Sequence, residues 1–248
     1  MIKLGCCGWG FYKGGLKAYS REFQLVEVQQ TFYKLPMLRT ALKWREEVPE
    51  SFEFTVKAFQ AITHSPTSPT WKRSGIKVEE GKENEYGFLR PTSQNLRAWD
   101  QTREICEALK AKICVIQCPP TFNCTAENIR NMRKFFSEID RGGLFLAWEP
   151  RGDWKDHPKE IRTLCRELDL IHVVDVMRRD SLSEHPVFYT RLHGLNPREY
   201  DYNYRYKDAE LRQLAKKLRS LEGSHREVYC MFNNFNMYQD TKRLMKLL

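Results

Sequence analysis

Eight short apolar runs alternate with amphipathic stretches along this chain, and no other feature restricts its fold as much. The runs are Ile2–Cys6, Leu25–Gln29, Phe52–Lys57, Ile113–Gln117, Leu144–Glu149, Leu170–Asp175, Val187–His193 and Val228–Phe232. Several, such as Ile113-Cys114-Val115-Ile116, are apolar without a break, the pattern of a strand buried on both faces. Between them, Leu38–Val48 follows Pro36, and Leu96–Ala111 places Leu96, Trp99, Cys106 and Leu109 at helical spacing. Thr125 is positioned to cap a helix carrying Ile129, Met132, Phe136 and Ile139. Lys159–Leu168 reads as a further helix, Asp208 as the cap of one bearing Leu211, Leu214, Leu218 and Leu221, and Thr241–Leu248 as the last. Strand–helix alternation builds parallel sheets. Eight such units in 248 residues predict an α/β fold, a (β/α)8 TIM barrel, as one domain over residues 1–248.

One connection is abnormally long. Strands three and four are about 55 residues apart, and Thr63–Ser93 within that span has no clear period. It holds Ser65-Pro66-Thr67-Ser68-Pro69-Thr70 and the charged run Lys77–Glu85. Because it follows a strand, this insertion is expected on the face where barrels carry their sites, with the character of a lid or a disordered segment.

No stretch approaches the roughly 18 to 20 apolar residues of a membrane span, and the first residues, Met1-Ile2-Lys3-Leu4-Gly5-Cys6, turn polar too soon for a signal peptide. The expectation is a cytoplasmic protein with no membrane partner. The eight cysteines form no C-x-x-C pair and read as buried reduced thiols. The formal charge of +9 comes from 41 basic and 32 acidic residues. It is spread over helix-like positions such as Arg130, Arg133 and Lys134, or Arg212, Lys216 and Lys217, and reads first as a solvated outer ring. Attraction to nucleic acid is the alternative.

Side chains alternate along a strand, so residues two apart share a face. That parity gathers Glu27 and Gln29, Thr55 and Lys57, Val115 and Gln117, Glu149 and Arg151, Val173 and Asp175, and Arg191 and His193 at the C-terminal ends of six strands, with Asn233 and Asn234 closing the eighth. The opposite ends show no comparable set. Three acids and three bases at one rim would roughly neutralise each other, and barrels build their sites at this mouth. His193 has the right ordinary pKa for proton transfer, and His64 opens the insertion. Trp9, Phe32, Tyr33, Trp148 and Trp154 lie near the same rim, where core packing explains most of them and stacking on a base or sugar is the sharper alternative. The carboxylates would admit a divalent metal, although no ligand pair has a diagnostic spacing, so no metal ligand is assigned and no cofactor is required. Gly5-Cys6-Cys7-Gly8-Trp9-Gly10 lacks both the dinucleotide and the Walker pattern and reads as the tight turn leaving strand one.

In order and spacing these residues resemble the YecE-like family (domain of unknown function seventy-two). The matching segments are Gly5-x-x-Gly8-Trp9, Glu27-x-x-x-Thr31-Phe32-Tyr33-x-x-Pro36, Phe52-x-Phe54-x-Val56-Lys57-Ala58, Ile62-Thr63-His64 and Gln117-x-Pro119-Pro120. They continue with Trp148-Glu149-x-Arg151-x-x-Trp154, Asp175, Tyr189-x-Arg191-x-His193-Gly194 and Phe232-Asn233-Asn234. The resemblance implies a TIM-barrel fold similar to the endonuclease-IV-like and xylose-isomerase-like barrels, with nucleic-acid processing suggested and no assigned activity. Gln29, where the family usually has Asn, and the Ser-Pro-Thr insertion look like archaeal-type members.

The leading expectation is an enzyme acting on a phosphate-bearing substrate, a nucleic acid included. Glu149, Asp175 and His193 would move protons, and Glu27 would orient Lys57 or an arginine. Lys57, Arg151 and Arg191 would hold the anion, with Gln117, Asn233, Asn234, Trp9, Tyr33 and His64 as further binding residues. The reaction class would be hydrolase or isomerase. Two rivals stand beside it: a sugar isomerase or hydrolase with an optional divalent metal, and a non-catalytic protein that binds nucleic acid or a metabolite. Oligomeric state is not legible in the sequence.

Overall fold

The computed structural model describes residues 1–248. Its eight strands are β1 (Ile2–Cys6), β2 (Leu25–Val28), β3 (Glu53–Lys57), β4 (Ile113–Gln117), β5 (Phe145–Glu149), β6 (Leu170–His172), β7 (Val187–Leu192) and β8 (Glu227–Phe232). They form one sheet in the order β6-β5-β4-β3-β2-β1-β8-β7, and every pairing is parallel. The ends of that order meet only through a bridge between Val174 and Thr190. There the Arg191 N–H donates to the Val174 carbonyl at 3.0 Å, so the β6/β7 seam closes the barrel.

Around the sheet lie α1 (Gly15–Tyr19), α2 (Gln30–Tyr33), α3 (Leu38–Glu46), α4 (Gln60–Thr63), α5 (Ser93–Ala108), α6 (Ala126–Glu138), α7 (Pro158–Glu167), α8 (Asp208–Glu222) and α9 (Met237–Met245). Thr125 caps α6 by accepting from the Asn128 N–H, and Thr92 does the same for α5 with Asn95. Three helix starts differ from expectation: α5 begins at Ser93, three residues before Leu96, where Thr92 caps it. Asp208 is the first residue of α8 rather than its cap, because Lys207 takes that place and its backbone N–H donates to Glu210 at 2.8 Å. The last helix starts four residues early, at Met237, because Asp240, Thr241 and Leu244 turn inward against the barrel. No helix follows β6. The loop from Val173 to Pro186 is fixed instead by side-chain bonds such as Leu182 N–H to His172 Nδ1 at 3.0 Å.

Parity divides the core into two layers. Inward-facing residues make a small core of 11 buried side chains, among them Leu25, Ile113, Val115, Ala147, Ile171, Tyr189, Tyr229 and Met231. Outward-facing ones join the helices in a cluster of 53. The outer layer accounts for the apolar runs, since strands covered on both faces need no polar alternation. It also holds most of the cysteines, and all eight are free thiols. Some basic residues of the outer helices are held in ion pairs, among them Arg133–Glu167 and Arg243–Asp240. No helix is long and apolar enough to cross a membrane.

The 63–93 insertion is ordered against the barrel. Trp71 is buried, and Asn95 of α5 bonds both the N–H and the carbonyl of Gly87 at 3.1 and 3.0 Å. Gly8 adopts φ 107° in the turn leaving β1, a region open to glycine.

The N-terminal end of the barrel overturns one expectation, because it does carry a polar set. Lys3 on β1 binds Glu53 on β3, Glu227 on β8 at 2.7 Å and the Tyr229 hydroxyl at 3.1 Å. The same parity rule places these residues inward at the opposite rim. The set is closed on itself and plugs the base. Replacing Lys3→Met would leave two largely buried carboxylates facing each other without a cation. The expected loss is about 3 kcal/mol of unfolding free energy in urea. Most of it should return in the triple variant Lys3→Met/Glu53→Gln/Glu227→Gln, because the three groups act as a unit.

Candidate functional site

At the other end of the barrel the central group is Arg191 on β7, which is wholly buried. Its Nη2 lies 2.9 Å from Glu27 Oε1 of β2, and its Nη1 binds Glu149 of β5 and lies 3.4 Å from Gln117 Oε1 of β4. Glu27 also accepts from the Tyr189 hydroxyl at 2.8 Å, and that hydroxyl is 2.9 Å from Thr55 Oγ1. Gln29 Nε2 donates to the same carboxylate. Arg151, just past β5, sends Nε and Nη2 to Glu149 Oε1 at 2.9 and 2.7 Å. Burial works to raise the Glu149 carboxyl, but Arg191 and Arg151 outweigh it and hold it well below the usual range. Two carboxylates therefore answer two guanidiniums.

That balance leaves Lys57 over. It points inward from β3, is 6% exposed, and its Nζ makes no hydrogen bond or ion pair. Its one close partner is the Phe32 ring, 3.9 Å from Nζ to centroid. Burial, then repulsion from Arg191 and Arg151, lowers its pKa to about 7. The Phe32 face favours the ammonium by only about 1 kcal/mol, too little to reverse this. Beside it, His64 uses Nδ1 on Thr63 Oγ1 at 2.8 Å and packs on Phe32. Burial, Lys57 and Arg151 push it down to about 3, so it is neutral.

Two parts of the expected set lie outside this cluster. Asp175 turns to the backbone, accepting from the Met177 and His193 N–H groups, each at 3.0 Å. It substitutes for ladder bonds where β6 has already ended at His172, and so staples the seam. Burial raises its pKa to about 6 against those two bonds. His193 is buried with neither ring nitrogen partnered, beneath Tyr200 and Tyr202 at centroid distances of 5.4 and 5.7 Å. Burial foremost keeps it neutral, its pKa far below the ordinary value. Trp9 packs edge-on against Trp44 at 5.2 Å and belongs to the core, as do Trp148 and Trp154.

Above the cluster the mouth opens into a cleft of two joined volumes, about 630 and 430 Å3. Tyr33, Lys57, Gln117 and Tyr202 line both. The larger part adds Gln29, Asn233 and Asn234, the cation Arg73, and the exposed rings of Phe11 and Phe235. The smaller adds Arg151, His64 and a wall of hydroxyls from the insertion, Ser65, Thr67, Ser68 and Thr70, faced by Thr121. No aspartate or glutamate lines either part. Asn234 is also tied down, its Nδ2 donating to the Tyr204 carbonyl and Asp240 at 2.7 and 2.8 Å.

The chemistry of this donor set does not fit a divalent ion. Glu27 and Glu149 already bind guanidiniums, Asp175 binds backbone, and no three His, Cys, Asp or Glu side chains gather as ligands. Sequence parity missed the loop after β7. Its alternation Tyr200-Asp201-Tyr202-Asn203-Tyr204-Arg205-Tyr206 signals an extended segment with one aromatic face, and that face covers His193 while Tyr200 lies 3.9 Å from the Arg151 guanidinium. Arg73 was also missed. It stacks on Tyr33 at 3.6 Å, a contact no spacing in the sequence reveals.

Comparison with known proteins bears on the whole of this architecture. Residues 4–248 match the family model described as "Protein of unknown function DUF72". The UPF0759 protein YunF of Bacillus subtilis is 28% identical over 94% of this chain and 89% of its own length. Among solved structures, a DUF72 family protein from Enterococcus faecalis V583 superposes with a TM-score of 0.74 at 21% identity, covering 100% of this chain and 97% of its own. One from Thermotoga maritima MSB8 gives 0.73 at 23%, with the same coverage. The chain belongs to the DUF72 family, the YecE-like TIM barrels of unknown function.

Proposed function

We propose that the mouth is the site of an enzyme acting on a phosphate-bearing substrate. The observation that carries this reading is the charge of the cleft wall: three cations, Lys57, Arg73 and Arg151, and no carboxylate. An anion entering the smaller part would meet Arg151, whose second edge is free of Glu149, together with the hydroxyls of the insertion. Charge-assisted bonds to phosphate oxygens are about twice as strong as neutral ones, and they strengthen in a site shielded from water. The larger part, walled by amides and aromatic rings, suits the uncharged ring-bearing remainder of such a substrate.

The roles follow from the contacts. Arg191, enclosed by Glu27 and Glu149, is a positioning residue rather than an anion binder. Glu149 is held ionised by two guanidiniums and serves to aim Arg151. Proton transfer falls to the groups that face the cleft with unshared nitrogens, Lys57 and the Nε2 of His64. A buried amine without a partner is unfavourable for folding and is retained where chemistry uses it.

Dimethyl phosphate, which keeps one charge across the neutral range, tests the anion site by NMR titration. Its affinity should fall about tenfold between pH 6 and pH 8. The Lys57 ammonium is present below about 7 and lost above it, and one charge-assisted bond is worth about 1.5 kcal/mol. Arg151→Gln should weaken binding about tenfold at pH 6 and move the Lys57-dependent fall to higher pH, because Arg151 no longer repels the ammonium. Affinity unchanged in Arg151→Gln would remove the anion site. Separately, Lys57→Met should raise the urea midpoint, corresponding to about 1 kcal/mol or more, because an apolar side chain replaces an unpaired buried amine. A midpoint lowered by that change would mean Lys57 is structural.

A further inference from the structure

We propose that Lys57 captures a carbonyl: its Nζ condenses with an aldehyde or ketone carbon of the substrate to form an imine, a step that rests on the phosphate-bearing reading of the same cleft. The geometry points to this use of the amine rather than to a salt bridge. Lys57 stands where the two parts of the cleft join, so a molecule whose phosphate lies among Arg151 and the insertion hydroxyls brings its next atoms past Nζ. No carboxylate, carbonyl or hydroxyl accepts from Nζ, which leaves its lone pair free once the proton is lost. Desolvation together with Arg191 and Arg151 brings that loss down to about pH 7. An arginine could hold an anion at this position equally well, but only an amine of lowered basicity is a nucleophile near neutrality.

The step balances within the site. The Nζ lone pair forms a bond to the carbonyl carbon, and the carbonyl oxygen takes up a proton. The resulting carbinolamine loses the nitrogen proton and that oxygen as water, leaving the C=N bond with no change in oxidation state. The groups able to relay those protons line the cleft beside Lys57: the Nε2 of His64 and the hydroxyls of Tyr33 and Tyr202, none with a hydrogen-bond partner in the protein. Gln117, whose carbonyl oxygen is only 3.4 Å from Arg191 Nη1, keeps its amide for the substrate oxygen.

Reductive trapping tests this on the intact protein. Glycolaldehyde phosphate and, in parallel, unphosphorylated glycolaldehyde are added with cyanoborohydride, and modified lysines are mapped by peptide mass spectrometry. Lys57 should be alkylated at least tenfold faster by the phosphorylated probe than any other lysine. Its labelling should be half-maximal near pH 7 and slowed by inorganic phosphate. The Lys57→Arg variant should lose this label, and its dimethyl phosphate affinity should no longer fall between pH 6 and pH 8. Labelling spread over surface lysines with Lys57 untouched overturns the imine proposal, and if dimethyl phosphate still binds through Arg151 the anionic-substrate reading survives. Equal labelling of Lys57 by both aldehydes, with no competition from phosphate, supports the imine step and overturns the anion site instead.

Discussion

Everything at the mouth of this barrel depends on the burial of Arg191. A guanidinium with no exposed surface costs several kcal/mol to desolvate unless it is answered by geometry and charge together. Glu27 from β2 and Glu149 from β5 supply that answer from across the barrel, and Gln117 completes the circle. Because those partners come from separate strands, the network forms only when the sheet has curled shut. It also sits on β7, one side of the seam that closes the sheet. Barrel closure and site assembly are therefore the same event.

The consequence is an uneven division of charge. Both carboxylates are consumed in neutralising Arg191 and Arg151, and Asp175 is spent on the backbone N–H groups of the seam. Lys57 is left without a counter-ion beneath a cleft whose walls carry no acid. An unpaired amine is the unfavourable term that the surrounding structure must tolerate. The Phe32 face, 3.9 Å from Nζ, is its one close support, while the insertion hydroxyls line the cleft it faces. The base of the barrel shows the contrast: there Lys3 meets two carboxylates and a phenol, and its charge is answered within the set.

The loop after β7 adds a second layer. Its tyrosines cover His193, stack on Arg151 and reach both parts of the cleft through Tyr202. Gly194, at φ 98° with Tyr204 packed against its α-carbon, fixes the bend from which this loop departs, since a side chain there would meet the tyrosine ring. The loop and the insertion thus close over the strand ends from opposite directions, and between them the cleft takes its shape.

By itself the sequence determined the barrel and which residues face its mouth. Eight apolar runs fixed the strands, and parity put Glu27, Lys57, Gln117, Glu149 and Arg191 on inward faces, because a two-residue period is a property of the extended chain alone. Parity equally marks Lys3, Glu53 and Glu227 as inward at the opposite rim, where they pair with one another. What the tertiary structure decided is who pairs with whom. Asp175 has the right parity yet serves the backbone, because β6 ends three residues before it. Trp9 lies beside the rim in sequence yet packs outward on Trp44. Lys57 becomes the spare cation only because Arg191 stands nearer to both glutamates. Periodicity gives the direction of a side chain, while pairing depends on distances between strands far apart in the chain, and those are set only when the sheet closes.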